Sequence, residues 1–127
     1  MQLRRHLTVV QNIITSRDEI VVEQLTVRET IPGREGFVGG RLRFYDGSML
    51  EFIEVLVEEV FILQKTEYTY HFQDRNDKLI FRYDNAPHYP ELLTFPHHKH
   101  RPDGVESAEP PHLGDILREI DSYLYDK

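Results

Sequence analysis

The sequence predicts an α+β domain: an antiparallel sheet of about five strands, with an N-terminal and a C-terminal helix packed on one face. Three observations predict it. Apolar residues recur at helical spacing near both ends of the chain. Between those ends, β-branched and aromatic residues alternate with a period of two. The runs are joined by short connections carrying turn residues, which pair neighbouring strands antiparallel.

Leu3, Leu7, Val10 and Ile14 share one helical face, so residues 3–15 read as an amphipathic helix. Val21, Leu25, Val27 and Ile31 share one parity and predict a strand ending at Pro32-Gly33. Val38, Leu42 and Phe44 predict the next strand. Asp46-Gly47 supplies a tight turn into Met49–Phe52. Residues 50–63 fit two patterns. Leu50 and Phe52 lie on one strand face and Ile53, Val55 and Val57 on the other, while Leu50, Ile53, Val57 and Val60 also fit a helix. The reading adopted is a strand followed by an irregular or short helical piece, with Glu51, Glu54 and Glu58 on a solvated face.

The clearest hairpin follows. Tyr68, Tyr70 and Phe72 alternate, residues 74–77 turn, and Leu79, Phe81 and Tyr83 alternate again. A four-residue turn sets Gln73 opposite Lys78 and Tyr70 opposite Phe81, with the aromatics on one face. The other face then carries His71, diagonal to Arg82, with Asp84 further along. Pro87, Pro90, Pro96, Pro102, Pro110 and Pro111 block long helices and interior strands over 84–112. The expectation there is a long ordered loop, then a mobile loop over 101–111. Leu113, Ile116, Leu117, Ile120 and Leu124 mark a closing helix.

The 127 residues suit a single domain, 1–127, with 39% apolar and 29% charged residues. No apolar run approaches the roughly 18 residues that span a bilayer. Without a signal-peptide pattern, no membrane association and a cytoplasmic location are expected. There are no cysteines, which excludes disulfides and thiolate metal sites. The net charge of −7 argues against broad nonspecific binding to nucleic acid. The acidity is concentrated, however. Residues 46–67 hold one basic and six acidic side chains and residues 102–127 hold two and seven, whereas residues 68–101 hold five and four. A locally basic surface within an acidic protein is compatible with that distribution, and acidic segments suit a basic partner. The glycines at 33, 36, 39 and 40 lack the ending of a phosphate loop and read as turn and strand-bend positions. No nucleophile elbow or helical zinc motif is present. No cofactor is expected.

The segment Phe81 to Arg101, FRYDNAPHYPELLTFPHHKHR, concentrates the chemistry. Four histidines, His88, His97, His98 and His100, fall within it, interleaved with Lys99 and Arg101 and preceded by Arg82, Asp84 and Asn85. Imidazoles take and give protons near neutrality, and a nearby cation stabilises charge developing on a phosphate ester. Arg82, Asp84, His88, His97, His98, Lys99 and His100 are therefore the candidate catalytic residues, suited to metal-independent RNA cleavage. A second reading is a metal site. His98 and His100 project to one side of an extended segment, and Asp84 or His88 offers a third ligand. The third reading is structural, with the histidines pinning a proline-rich loop through backbone carbonyls and Asp84-Asn85 starting a turn.

The stretches YDGSMLEFIE, YTYHFQDRNDKLIFRYDNAPHYPELLTFPHHKH and EPPHLGDILREI resemble the TumE-type toxins of bacterial toxin–antitoxin systems. The resemblance covers about residues 38–124 and is densest from Tyr68 to His100. It implies a growth-inhibiting toxin whose partner is a cognate antitoxin, expected to be a DNA-binding regulator; the His/Lys/Arg-rich motif beside the aromatic strands is what points to RNA or a nucleotide-containing substrate. It carries Arg82 to Asn85, His88 and His97 to His100 as candidate site residues. His112 stands before the last helix, where a capping Ser or Thr is expected. A non-enzymatic module that binds a protein partner is the competing function class.

Overall fold

The computed structural model describes residues 1–126, so the last residue of the expected 1–127 domain lies outside the described residues. Helix α1 (Gln2–Thr15) leads into seven strands and helix α2 (Leu113–Tyr125) closes the chain. The strands are β1 (Val21–Ile31), β2 (Glu35–Arg43), β3 (Met49–Glu59), β4 (Ile62–Gln73), β5 (Leu79–Asp84), β6 (His98–Arg101) and β7 (Gly104–Ser107). They form one antiparallel sheet in chain order. The α+β class and both helices agree with the sequence reading, but the strand count is seven, not about five.

Both helices pack on the same sheet face. Leu3, Leu7, Val10 and Ile14 of α1 and Leu113, Ile116, Leu117, Ile120 and Leu124 of α2 join Phe52, Tyr70 and Phe72 in one buried cluster. Removing this apolar area from water is the main driving force, at about 25 cal/mol per Å². Glycine permits two close approaches. A Cβ at Gly36 would meet Leu3 Cδ1 at 2.7 Å, and one at Gly40 would meet the Gln24 carbonyl oxygen at 2.5 Å. The Asp115 carboxylate accepts the His112 N–H at 3.0 Å, so the cap of α2 comes from its first turn rather than from a hydroxyl.

Three local expectations change. First, residues 50–59 continue as strand, with no helical piece after them. Leu50, Phe52, Glu54 and Leu56 are buried at strand period, while Ile53, Val55 and Val57 line the face without helices. A strand with apolar residues on both faces imitates a helical pattern. Second, the β4–β5 hairpin pairs Tyr70 with Tyr83 and Phe72 with Phe81, two residues away from the expected register. Asp74 Oδ1 accepts the N–H groups of Asn76 and Lys78 at 2.8 and 3.0 Å, which draws Lys78 into the connection. A shift of two preserves face, so the aromatics still point to the core, and His71 lies directly opposite Arg82. Third, the proline-rich segment holds β6 and β7. Pro96 and Pro102 stand just outside the ends of β6 and interrupt no ladder.

Candidate functional site

The strand pairing sets out the site before any side chain is considered. β5 pairs with β6 so that Arg82 opposes His100 and Asp84 opposes His98, while His71 on β4 opposes Arg82. These residues share a parity, and all project from the sheet face that carries no helix. The connection from β5 to β6 folds back over them. The Tyr89 ring lies 5.0 Å from the His98 ring and 5.9 Å from the His100 ring. His98 is thereby only 1% exposed and Asp84 5% exposed, although no helix covers them.

Asp84 is the hub. Its Oδ1 accepts the Ala86 N–H at 3.0 Å and lies 2.9 Å from His98 Nε2. Its Oδ2 accepts Arg82 Nε–H at 3.0 Å and lies 3.5 Å from His100 Nε2. His98 Nδ1 lies 2.9 Å from the Pro96 carbonyl oxygen. A carbonyl only accepts, so Nδ1 carries the hydrogen. Nε2 and Asp84 Oδ1 are then two acceptors 2.9 Å apart, unless a second ring proton lies between them or a metal ion binds both. Burial pushes the His100 imidazole below its ordinary value; Asp84 opposes this, while His98 and Arg82 add to it. Arg82 also approaches His71 Nδ1 at 3.4 Å, and His71 Nε2 bonds Gln73 Oε1 at 2.9 Å.

Arg82, Asp84, His98 and His100 line a cleft of about 520 Å³ together with Thr66, Glu67 and the Pro87-His88 turn. Asp84, His98 and His100 each offer one ligand atom, and the three atoms lie within 4.8 Å of one another. Among the described residues, they are the group able to hold a metal ion.

Arg82, Asp84, His98 and His100 are thus brought together, and His88 is exposed on the rim of the same cleft. Lys99 is not among them. Strand alternation turns it to the helix-covered face, where its ammonium donates to Glu119 Oε2 on α2 at 2.6 Å and lies 4.8 Å from the Tyr83 ring centre. Tyr83 donates to the other Glu119 oxygen at 2.6 Å, and burial together with Glu119 pushes its phenol upward. His97 also leaves the cluster, with Nδ1 in a 3.0 Å hydrogen bond to the Tyr68 hydroxyl. Asn85 ties β5 to β4, accepting the Tyr68 N–H at 3.1 Å and donating to the Thr66 carbonyl at 3.0 Å. Sequence reading missed Tyr89 and the carbonyl of Pro96. No spacing signal points to either, because a loop brings them in.

A second polar cluster lies under α1. Glu54, expected on a solvated face, is 1% exposed. His6 Nε2 lies 2.7 Å from its Oε1, Tyr70 donates to its Oε2, and Lys65 Nζ stands 3.9 Å away. Lys65 also donates to the Tyr70 hydroxyl oxygen and to the Pro111 carbonyl, at 2.7 and 2.6 Å. Burial alone would push the Glu54 carboxyl up; His6, Lys65 and Tyr70 reverse this and hold it below its ordinary value. Burial draws the Lys65 ammonium down, against the opposing pull of Glu54 and Asp115.

Compared with known proteins, residues 10–124 match the family model described as Toxin TumE. The match reaches into α1, beyond the stretch from about residue 38 in which the resemblance is visible by motif. No curated protein and no solved structure matches the chain.

Proposed function

The chain belongs to the TumE toxin family, and on that premise we propose that it acts on RNA or another nucleotide-containing substrate in the cleft floored by Asp84, His98 and His100. Family membership makes it the toxin component of a toxin–antitoxin system, with a cognate antitoxin as partner. The single observation that carries the proposal is two imidazoles on one buried carboxylate, opening beside an arginine into a cleft. Arg82 spends its Nε–H on Asp84 and keeps a partly exposed guanidinium edge, the shape that grips a phosphate. His100 acts at the reacting oxygens, either by moving protons or through a cation held with Asp84 and His98, while buried His98 fixes the carboxylate. We further propose that the antitoxin is a DNA-binding regulator; the acidic segments at 46–67 and 102–127 suit a basic docking surface on it.

The test is induced expression in a bacterial host. His98→Ala and His100→Ala should each restore growth at unchanged protein level, and RNA or nucleotide breakdown by the purified wild type should disappear in the variants. Full toxicity of both variants would remove the role of the cleft. Growth arrest with intact RNA and nucleotides would favour the competing class, a module that harms by binding a protein, for which the net charge of −7 is the motivating observation.

A further inference from the structure

We infer that Asp84, His98 and His100 form a binding site for a divalent transition-metal ion. The inference deepens the proposed reading of the cleft, and depends on that reading only for its link to toxicity.

With its Nδ1–H committed to the Pro96 carbonyl, His98 turns the Nε2 lone pair toward Asp84 Oδ1 at 2.9 Å. A second ring proton would satisfy that contact alone. It would leave His100 Nε2 pointing at the same carboxylate from 3.5 Å, beyond ordinary hydrogen-bond length. A metal ion satisfies all three donors at once. Bonds of about 2.1 Å set neighbouring donors about 3.0–3.4 Å apart in octahedral or tetrahedral shells. His98 Nε2 lies 2.9 Å from Asp84 Oδ1 and His100 Nε2 lies 3.5 Å from Asp84 Oδ2, so each imidazole stands near that spacing from one oxygen of the same carboxylate. All three donor atoms lie within 4.8 Å of one another, and His100, the most exposed of the three side chains, has the most freedom to adjust.

The surroundings are those of a supported ligand set. A ligating imidazole holds its other N–H on a carbonyl or carboxylate, as His98 does on Pro96. A ligating carboxylate is itself hydrogen-bonded, as Asp84 is by the Ala86 N–H and Arg82 Nε–H. Two imidazoles and one carboxylate suit zinc, manganese, iron(II), cobalt or nickel rather than magnesium or calcium, which prefer all-oxygen shells. Three protein ligands leave coordination positions open, and the cluster opens on the 520 Å³ cleft, where a water or substrate oxygen can bind. Lys99, between the two histidines in sequence, is no obstacle. Its ammonium is on the other sheet face, paired with Glu119.

The experiment is calorimetric titration of the full-length protein, stripped with a chelator, with Zn²⁺, Mn²⁺, Ni²⁺ and Co²⁺ separately. Cobalt(II) binding is also read by its visible absorption. One ion per chain is expected for at least one metal, and His71→Ala should bind like the wild type. His100→Ala should weaken binding by about a hundredfold or more, since losing an outer-shell partner alone takes 10–100-fold. His98 is buried, so His98→Gln accompanies His98→Ala, with folding checked by circular dichroism. Absence of stoichiometric binding by the wild type, or unchanged affinity in folded His100→Ala and Asp84→Asn, overturns the inference. If no metal binds yet His100→Ala still relieves toxicity, the metal site falls and the proposed function stands on proton transfer. If metal binds but the variants stay toxic, the metal site stands and the proposed role of the cleft falls.

Discussion

Asp84 concentrates four contacts on one carboxylate, from three parts of the chain. The Ala86 N–H holds it from the loop, Arg82 from its own strand, and the two imidazoles from β6. Asp84→Asn keeps the size but places an NH₂ against a donor or a cation. It should cost about 2 kcal/mol, the scale of hydrogen bonds to charged groups, read as a lower denaturant midpoint, and it should reduce toxicity. Lys99 provides the opposite case. It sits between two site histidines in sequence, yet its partners are Glu119 and two aromatic rings. Lys99→Met should therefore leave toxicity per folded molecule unchanged, while lowering stability by about 1–3 kcal/mol, measured by urea denaturation. Toxicity abolished in a folded Lys99→Met would return the residue to the chemistry. The sequence singled out both residues on the same grounds, local density of charge and imidazole. Strand alternation separated them, since residues one apart in β6 project to opposite faces.

At the scale of elements, the site exists because β6 is a strand. The His-x-His pairing across from Arg82 and Asp84 requires a hydrogen-bonded ladder, and the prolines that argued against one lie at its margins. The β3–β4 connection is a different case of an unusual choice. Val60 and Phe61 both have positive φ, 49° and 63°, in a two-residue turn whose tip is exposed. Side chains other than glycine, asparagine or aspartate resist that conformation, and a β-branched residue resists it most. Val60→Asn with Phe61→Gly supplies the residues this turn geometry favours. The double variant should gain about 1 kcal/mol, seen as a raised melting temperature, and a lowered one would show that Phe61 contributes more by contact than it loses in strain. That apolar tip is also why the sequence pattern over 50–63 looked partly helical. Val60 completed a helical spacing that the turn interrupts.

At the scale of the whole molecule, the buried cluster around Glu54 links α1, β3, β4 and the segment leading into α2. Its carboxyl is held below the ordinary value of 4.5. A depressed folded value means that the contribution to stability is present above the unfolded value and is lost as pH falls from 4.5 through the folded value. Acid unfolding should therefore steepen below pH 4.5. Glu54→Gln should flatten that limb and, by stranding Lys65 without its anion, cost about 3 kcal/mol at neutral pH. Thermal midpoints measured against pH for both proteins decide it, and parallel curves would mean that Glu54 does not govern the acid limb. Nothing in one sequence marks Glu54 as buried. Its partners His6, Lys65 and Tyr70 come from separate elements.

By itself, the sequence determined what depends on periodicity and on residue type. The two helices follow from i, i+3, i+4 spacing, the aromatic face of β4 and β5 from alternation, and the naming of Asp84, His98 and His100 among the seven candidates from their chemistry. Only the tertiary structure decided which of the clustered residues meet. The number of strands, the two-residue register offset of β4 on β5, the burial of Glu54 and the removal of Lys99 and His97 from the cleft all depend on partners far away in sequence. Periodicity records which way a side chain points relative to its neighbours along the chain. What it points at is set by the pairing of strands and by a loop that folds back, and those are properties of the assembled sheet.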